Sequence, residues 1–271
     1  MPTISIIMGV YNCKRPDLLD RSIKSIVNQT FTDWEFIICN DGSSDPKTIG
    51  LLKIYEEDKR IRVISYDQNK GLAHALNECL KLSKGKYIAR QDDDDVSKPR
   101  RLQTLYDFLE IHPEYAVVGS IADVYDDNGI WGEYRLKEKP EKKTFYWNSP
   151  FAHPTILMRR AVLEELDGYR EAKETRRHED YDLFMRMYAA GYKGYNIQEK
   201  LYEYRIVNGD KKYRSMEDRI NEAVIRYKGF RCMRIFWKGI PYIVKPVIIG
   251  LIPQKLLKRI KQRQYRESSI V

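Results

Sequence analysis

Apolar residues come in short bursts along the first ninety positions, with polar turns between them. Ile4-Ser5-Ile6-Ile7-Met8-Gly9-Val10 is an apolar run of strand length, as expected for a strand covered on both faces. From Arg15 to Gln29 the apolar positions Leu18, Leu19, Ile23, Ile26 and Val27 return at helical spacing. Trp34 to Cys39 reads as a second strand, ending at the turn Asn40-Asp41-Gly42-Ser43. Asp45 to Asp58 reads as helix, Ile61 to Ser65 as strand and Leu72 to Leu82 as helix. Lys86 to Arg90 is a fourth strand, followed by Gln91 and four aspartates. This β-α-β-α order predicts an α/β fold, with a Rossmann-like, mostly parallel sheet and helices on both faces. Such sheets bind ligands at the carboxyl ends of their strands. Here those ends carry Tyr11, Asp41 and Asp92 to Asp95.

The second half is less regular. Pro99 to Ile111 predicts a helix and Ala116 to Ile121 a strand; Tyr125 to Lys143 is polar and reads as loops or a hairpin. Thr155 to Met158 is a short strand, Glu179 to Ala190 a helix, Leu201 to Ile206 a strand and Ser215 to Phe230 a helix. The apolar stretch Phe236 to Pro253 is interrupted by lysines and by Pro241, Pro246 and Pro253, and Leu256 to Lys261 follows with an apolar stripe and basic flanks.

With 271 residues, 42% hydrophobic and 32% charged, the chain has ordinary globular composition, which excludes wholesale disorder. The N-terminus has no basic leader and reads as a strand rather than a signal peptide. No window holds the ~18 uninterrupted apolar residues of a spanning helix. Cys13, Cys39, Cys79 and Cys232 form no CxxC pair, which fits a reduced cytosolic protein and gives no zinc signature. The formal net charge is +9, yet the first 225 residues are slightly acidic. From Arg226 to Arg266 there are 12 Lys or Arg and no Asp or Glu.

The aspartate run carries the strongest chemical signal. Adjacent carboxylates repel one another unless a cation or water relieves them. A hard divalent cation does so, and Mg²⁺ typically takes one or two carboxylates plus substrate phosphates. A solvated acidic turn is the alternative; the position at a strand's carboxyl end favours the metal.

Eight motifs follow one another in a recognisable order: Ser5 to Asn12, Leu19 to Ile26, Gln29 to Ile38, Asn40 to Asp45, Asn69 to Leu72, Tyr87 to Arg90 with Asp92 to Asp95, Pro99 to Leu102, and His178 to Leu183. Together they resemble a family 2 glycosyltransferase of the bacterial polysaccharide and capsule type, over residues ~3 to ~206. The resemblance implies the GT-A fold. It implies that Tyr11 packs on the nucleotide base and that Asp41 accepts a hydrogen bond from uracil. A Tyr at a sheet edge and an Asp-Gly turn are the structural alternatives. Asp92-Asp93-Asp94 resembles a D-x-D motif: Asp94 would ligate Mn²⁺ or Mg²⁺, Asp92 would face the ribose, and Asp93 belongs to the same site. A run of four leaves that register open by one residue. Asp180 resembles the general base of inverting members, its alternative being an acidic helix start. His153, His178 and Glu179 lie where the acceptor is expected.

The resemblance implies a metal-dependent inverting transfer from a nucleotide-diphosphate sugar, UDP-linked, to a saccharide acceptor, lipid-diphosphate-linked. A dTDP- or GDP-sugar donor, or a non-catalytic sugar-nucleotide or polysaccharide-binding module, are the alternatives. Asp94 and Asp180 argue against the module, which needs neither. The expected organisation is a transferase domain over 1–214, with a donor half at 1–112 and an acceptor half at 113–214. A helical, basic and apolar extension covers 215–271. That extension reads as a contact with an anionic membrane surface, placing the protein in the cytoplasm, peripheral on the inner face of the membrane; a structural cap is the alternative. Nucleic-acid binding is not expected, because the excess charge lies in an apolar segment rather than on a basic face.

Overall fold

The computed structural model describes residues 1–207 and 215–252. Its first elements are β1 (Ile4–Val10), α1 (Pro16–Val27), β2 (Trp34–Asp41), α2 (Pro46–Tyr55), β3 (Ile61–Tyr66), α3 (Leu72–Leu82) and β4 (Tyr87–Arg90). Then come β5 (Val96–Ser97), α4 (Arg101–Ile111), β6 (Val117–Asp126), β7 (Gly129–Tyr134), β8 (Leu157–Arg159), α5 (Arg160–Glu165) and α6 (Glu179–Ala189). β9 (Gly194–Arg205), α7 (Met216–Cys232) and α8 (Phe236–Leu251) complete the described chain.

The strands form one mixed sheet in the order β3-β2-β1-β4-β8-β6-β9-β5, with β7 paired to the outer part of β6. β3, β2, β1 and β4 are parallel, whereas β8 runs antiparallel to both β4 and β6. The order turns back at β1 and β4, which opens a crevice at their carboxyl ends. Strand β1 shows why its run is unbroken: Ile4, Ile6, Met8 and Val10 enter one core layer and Ile7 the other. Helices cover both faces, so neither face can be polar.

Local chemistry sets the helix starts. Pro16 and Pro46 occupy first turns, where a missing N–H costs nothing. The Asp45 carboxylate caps α2 by accepting from the Thr48 N–H at 2.8 Å.

Four segments differ from the sequence expectation. β2 continues through Asn40 and Asp41, which the pattern assigned to a turn. β5 is a two-residue strand directly after the aspartates, too short to show a period. β9 begins at Gly194, well before the alternation at Leu201. Helix α5 was not expected. The polar 125–143 stretch holds the turn and second strand of the β6–β7 hairpin, one of the two forms expected of it.

Helix α8, expected as part of a helical extension, runs as one helix through Pro241 and Pro246. Each proline removes a ladder hydrogen bond, and packing offsets the loss. Gly239 lets α8 approach Phe230: a Cβ there would lie 2.5 Å from its ring. The Tyr242 ring stacks on Tyr146 at 4.9 Å between centroids. Lys245 Nζ donates to the Trp147 carbonyl at 2.9 Å. Ile225, Phe230 and Met233 belong to the main core. The inner face of this hairpin therefore caps the domain. The 214/215 boundary abuts the undescribed segment 208–214, and the Leu256 to Lys261 stripe lies outside the described residues.

Candidate active site

The carboxyl ends of β1 and β2 are laced together. Asn12, with φ at 43°, accepts at Oδ1 from the N–H groups of Ser44 (2.9 Å) and Asp45 (3.0 Å). Its own N–H donates to Ser43 Oγ. Beside it Tyr11 is 51% exposed, so one ring face is open to a flat partner.

Asp41 is buried, and its carboxylate accepts four hydrogen bonds. Tyr66 Oη (2.5 Å) and the Lys70 N–H (2.8 Å) donate to Oδ1. Asn69 Nδ2 (2.7 Å) and the Gly71 N–H (2.9 Å) donate to Oδ2. That fills the roughly four acceptor positions of a carboxylate. Asp41 thus builds the wall of the crevice from the 66–71 segment, and contact with a base requires one of these donors to yield. Gly42 is held at φ 72°, and a Cβ there would come 2.5 Å from the Gln68 carbonyl carbon.

The aspartate run forms a turn around Gln91. Its Nε2 donates to Ser22 Oγ (2.9 Å) and to the Asp95 carbonyl (3.1 Å), and its Oε1 accepts from Ser97 Oγ (2.7 Å). Asp95 points inward, with Oδ1 accepting from the Arg205 N–H at 2.7 Å and Oδ2 buried without a partner. The three preceding side chains, Asp92, Asp93 and Asp94, remain partly accessible, so a ligand can reach this part of the run. Tyr125 Oη fixes the Asp94 carbonyl at 2.6 Å. Burial, then the charges of Asp94 and Asp92, raises the Asp93 carboxyl to about 7. Asp95 is pushed well above the usual carboxylate range for the same reasons. Among the described residues no three-ligand cage of His, Cys, Asp or Glu exists. The partly accessible, mutually repelling oxygens fit a hard cation that draws its other ligands from phosphate and water.

Arg90 lies beneath this turn, its side chain 1% exposed, with Nη2 on Asp92 Oδ1 at 2.5 Å. Its charge also reaches His153 and Tyr169. His153 Nε2 meets Tyr169 Oη at 2.8 Å, and burial, then Arg90, holds the imidazole well below its ordinary value. The Tyr169 phenol feels Asp180, Glu179 and Asp92 as well. The aspartate turn and the start of α6 therefore share one polar centre.

At that helix start the neighbours part company. Glu179 is 7% exposed and accepts at Oε1 from the Arg177 N–H at 2.9 Å; burial raises its carboxyl. His178 is buried, with Nε2 3.1 Å from the Asp218 carbonyl of α7, so it fastens α7 to the body instead of lining an acceptor surface. Asp180 stays partly exposed. Arg177, at φ 68°, holds this corner in a strained conformation of the kind that clusters at functional sites. Sequence reasoning missed Tyr169 and the roles of Arg90 and Gln91; the Asp167-Gly168 turn marked a loop without saying what its next residue would meet.

Residues 5–167 match the family model described as glycosyl transferase family 2. The chain belongs to this family. The transferase is 40% identical over 265 residues to the Bacillus subtilis glycosyltransferase EpsE, covering 97% of this chain and 94% of that one. It is 25% identical over 262 residues to an Escherichia coli enzyme named UDP-Gal:alpha-D-GlcNAc-diphosphoundecaprenol beta-1,3-galactosyltransferase, covering 93% and 92%. The transferase also superposes on the crystal structure of S. aureus TarS 1–349 in complex with UDP-GlcNAc. There the TM-score is 0.71 at 18% identity, over 97% of this chain and 79% of that one. That likeness shows the GT-A fold expected above. The Glu179-Asp180 pair lies beyond the residues matched by the family model. Among the described residues, no helix is long and apolar enough to cross a membrane.

Proposed function

We propose that the transferase moves a sugar from a UDP-sugar to a lipid-diphosphate-linked saccharide, with inversion, during cell-surface polysaccharide synthesis. The observation that carries this reading is that Asp92, from the aspartate turn, and Asp180, from the start of α6, both act on Tyr169 beside Arg90, with Asp94 on the same turn as Asp92. Tyr11 stacks on the base at the end of β1, and Asp41 shapes the crevice wall. Asp92, held by Arg90, faces the ribose side of the donor. Mn²⁺ or Mg²⁺, held by Asp94 beside Asp93, would supply positive charge opposite the departing diphosphate. Asp180 takes the proton of the acceptor hydroxyl as its oxygen attacks the anomeric carbon and the bond to the diphosphate breaks. Neutral His153 and Tyr169 keep the floor of the site uncharged next to Arg90. Glu179, tied to the Arg177 amide, sets the angle of the helix start from which Asp180 projects.

UDP is favoured because two similar proteins carry it in their names or ligands, one with a diphosphoundecaprenol acceptor. The same reading puts the transferase on the inner face of the cell membrane. A nucleotide-sugar panel tests it: thermal shift with Mn²⁺, then transfer to lipid-diphosphate saccharides. UDP-sugars are expected to stabilise the protein by ~2.7 kcal/mol at 100 times their dissociation constant. Preference for a GDP- or dTDP-sugar would overturn the donor assignment, and transfer without any divalent cation would overturn the metal.

A further inference from the structure

The outer face of α8 is as apolar as its inner one. Trp237, Ile240, Val244, Ile248 and Leu251 recur every three or four residues, and their exposures are 81%, 43%, 47%, 56% and 74%. On a helix this spacing makes one continuous stripe. Helix α7 adds Met216, Ile220, Val224 and Tyr227, each 36–50% exposed. The stripes meet at both ends of the hairpin. Tyr227 packs edge-on against Phe236 at 5.5 Å, and a Cβ on Gly250 would lie 2.9 Å from Met216 Cε. Trp147, 59% exposed, flanks α8 beneath Lys245.

Helix α8 carries charge of one sign, and the acids beside the α7 stripe, Glu174 and Glu217, are paired with Lys228 and Lys173. Helix α8 contains Lys238 and Lys245 and no acid, and no Asp or Glu occurs from Arg226 to Arg266. A second copy on this face would set cations against cations, whereas an anionic leaflet attracts each by up to ~1 kcal/mol. At ~1.5 Å per residue, sixteen residues reach ~24 Å, short of the ~30 Å hydrocarbon core. We propose that α8 lies flat in the interface of an anionic bilayer, with Trp237, Ile240, Val244, Ile248 and Leu251 among the acyl chains and the inner face still docked on the domain. This rests on the membrane placement proposed above and names the surface that makes the contact.

The test is sedimentation of the full chain with phosphatidylcholine vesicles, with and without phosphatidylglycerol. Wild type is expected to pellet with the anionic vesicles. The double variant Trp237→Glu, Ile248→Glu should lose at least tenfold in partitioning, and Leu251→Glu alone should lose part of it. Ile54→Glu, on the remote α2 and 63% exposed in the native chain, should change nothing. Transfer to a soluble acceptor should be equal in all, which separates this inference from the catalytic one: lost transfer with intact vesicle binding would sink only the latter. Wild type remaining in the supernatant, or both stripe variants pelleting like wild type, would overturn the proposal. So would a wild-type dimer in light scattering that the variants abolish, since the face would then belong to a second copy.

Discussion

The two sides of the crevice, which the proposed function assigns to donor and acceptor, are built by different rules. On the donor side the polar residues sit just past neighbouring parallel strands, and their partners come from adjacent strand ends: Asn12 with 43–45 and Asp41 with 66–71. On the acceptor side the partners come from irregular turns and from a helix outside the sheet: His153 with Tyr169, and His178 with Asp218. A parallel sheet sets which loops touch once its strand order is known. Irregular segments carry no such rule, so their pairings appear only in three dimensions.

Four measurements sharpen or break this contrast. The largest effect is expected at Asp94, the proposed cation ligand. Asp94→Ala should cut transfer roughly 10³-fold, on the scale of losing a principal charge-stabilising group, and should remove the cation dependence of donor binding in calorimetry. Unchanged cation dependence would take Asp94 out of the site. Next comes Asp180→Asn, which should lower kcat by about 10²-fold or more with donor affinity kept, as for a lost general base. A rate within a few-fold of wild type would leave α6 a purely structural element.

Asp41→Asn probes the donor wall. Its amide would direct N–H groups at some of four existing donors, costing about 1–3 kcal/mol, which a thermal melt detects. No change in Tm would mean that the 66–71 segment stands without it. The smallest effect concerns His153. Its imidazole stays neutral in the folded protein, being held well below its ordinary value, but takes a proton near pH 6.5 once unfolded. Stability from this residue is therefore lost as pH falls below 6.5, by about 1.4 kcal/mol per pH unit at most. Tm measured from pH 7 to pH 5 should fall less steeply in His153→Asn, and parallel slopes would place a charged imidazole in the site.

The first four strands were legible because β1 and β2 bury both faces and read as unbroken apolar runs between turn residues. Asp95 could not be told from its neighbours: the four side chains are identical in sequence, and only the fold turns this one inward onto the Arg205 amide. Helix α8 was expected within a helical extension, but the sequence does not show why it stays continuous. Its prolines are local penalties, and what overrides them is the notch at Gly239 against Phe230, nine residues back in the chain. His178 misled because a histidine beside an acidic helix start suggests chemistry, while its carbonyl partner lies 40 residues away.

The seam between the two sides is gripped from both, by side chains that hold main chain: Tyr125, Arg159 and Arg160 on the acceptor side donate to the carbonyls of Asp94, Leu109 and Ser83. Donor-side side chains grip acceptor-side main chain: Asp95 holds the Arg205 N–H, Arg101 the Pro154 carbonyl, and Asn77 both the N–H and the carbonyl of Tyr169. A grip on main chain is indifferent to the side chain it passes. Apart from Tyr125, Arg159 and Arg160, acceptor-side positions along this seam can thus change side chain without loosening its hold on the nucleotide half. The forbidden exchange at positions 169 and 205 is to proline, which has no N–H to offer. A combinatorial library that randomises exposed acceptor-side positions, keeps those three residues and excludes proline at 169 and 205 should keep the halves joined in most of its members.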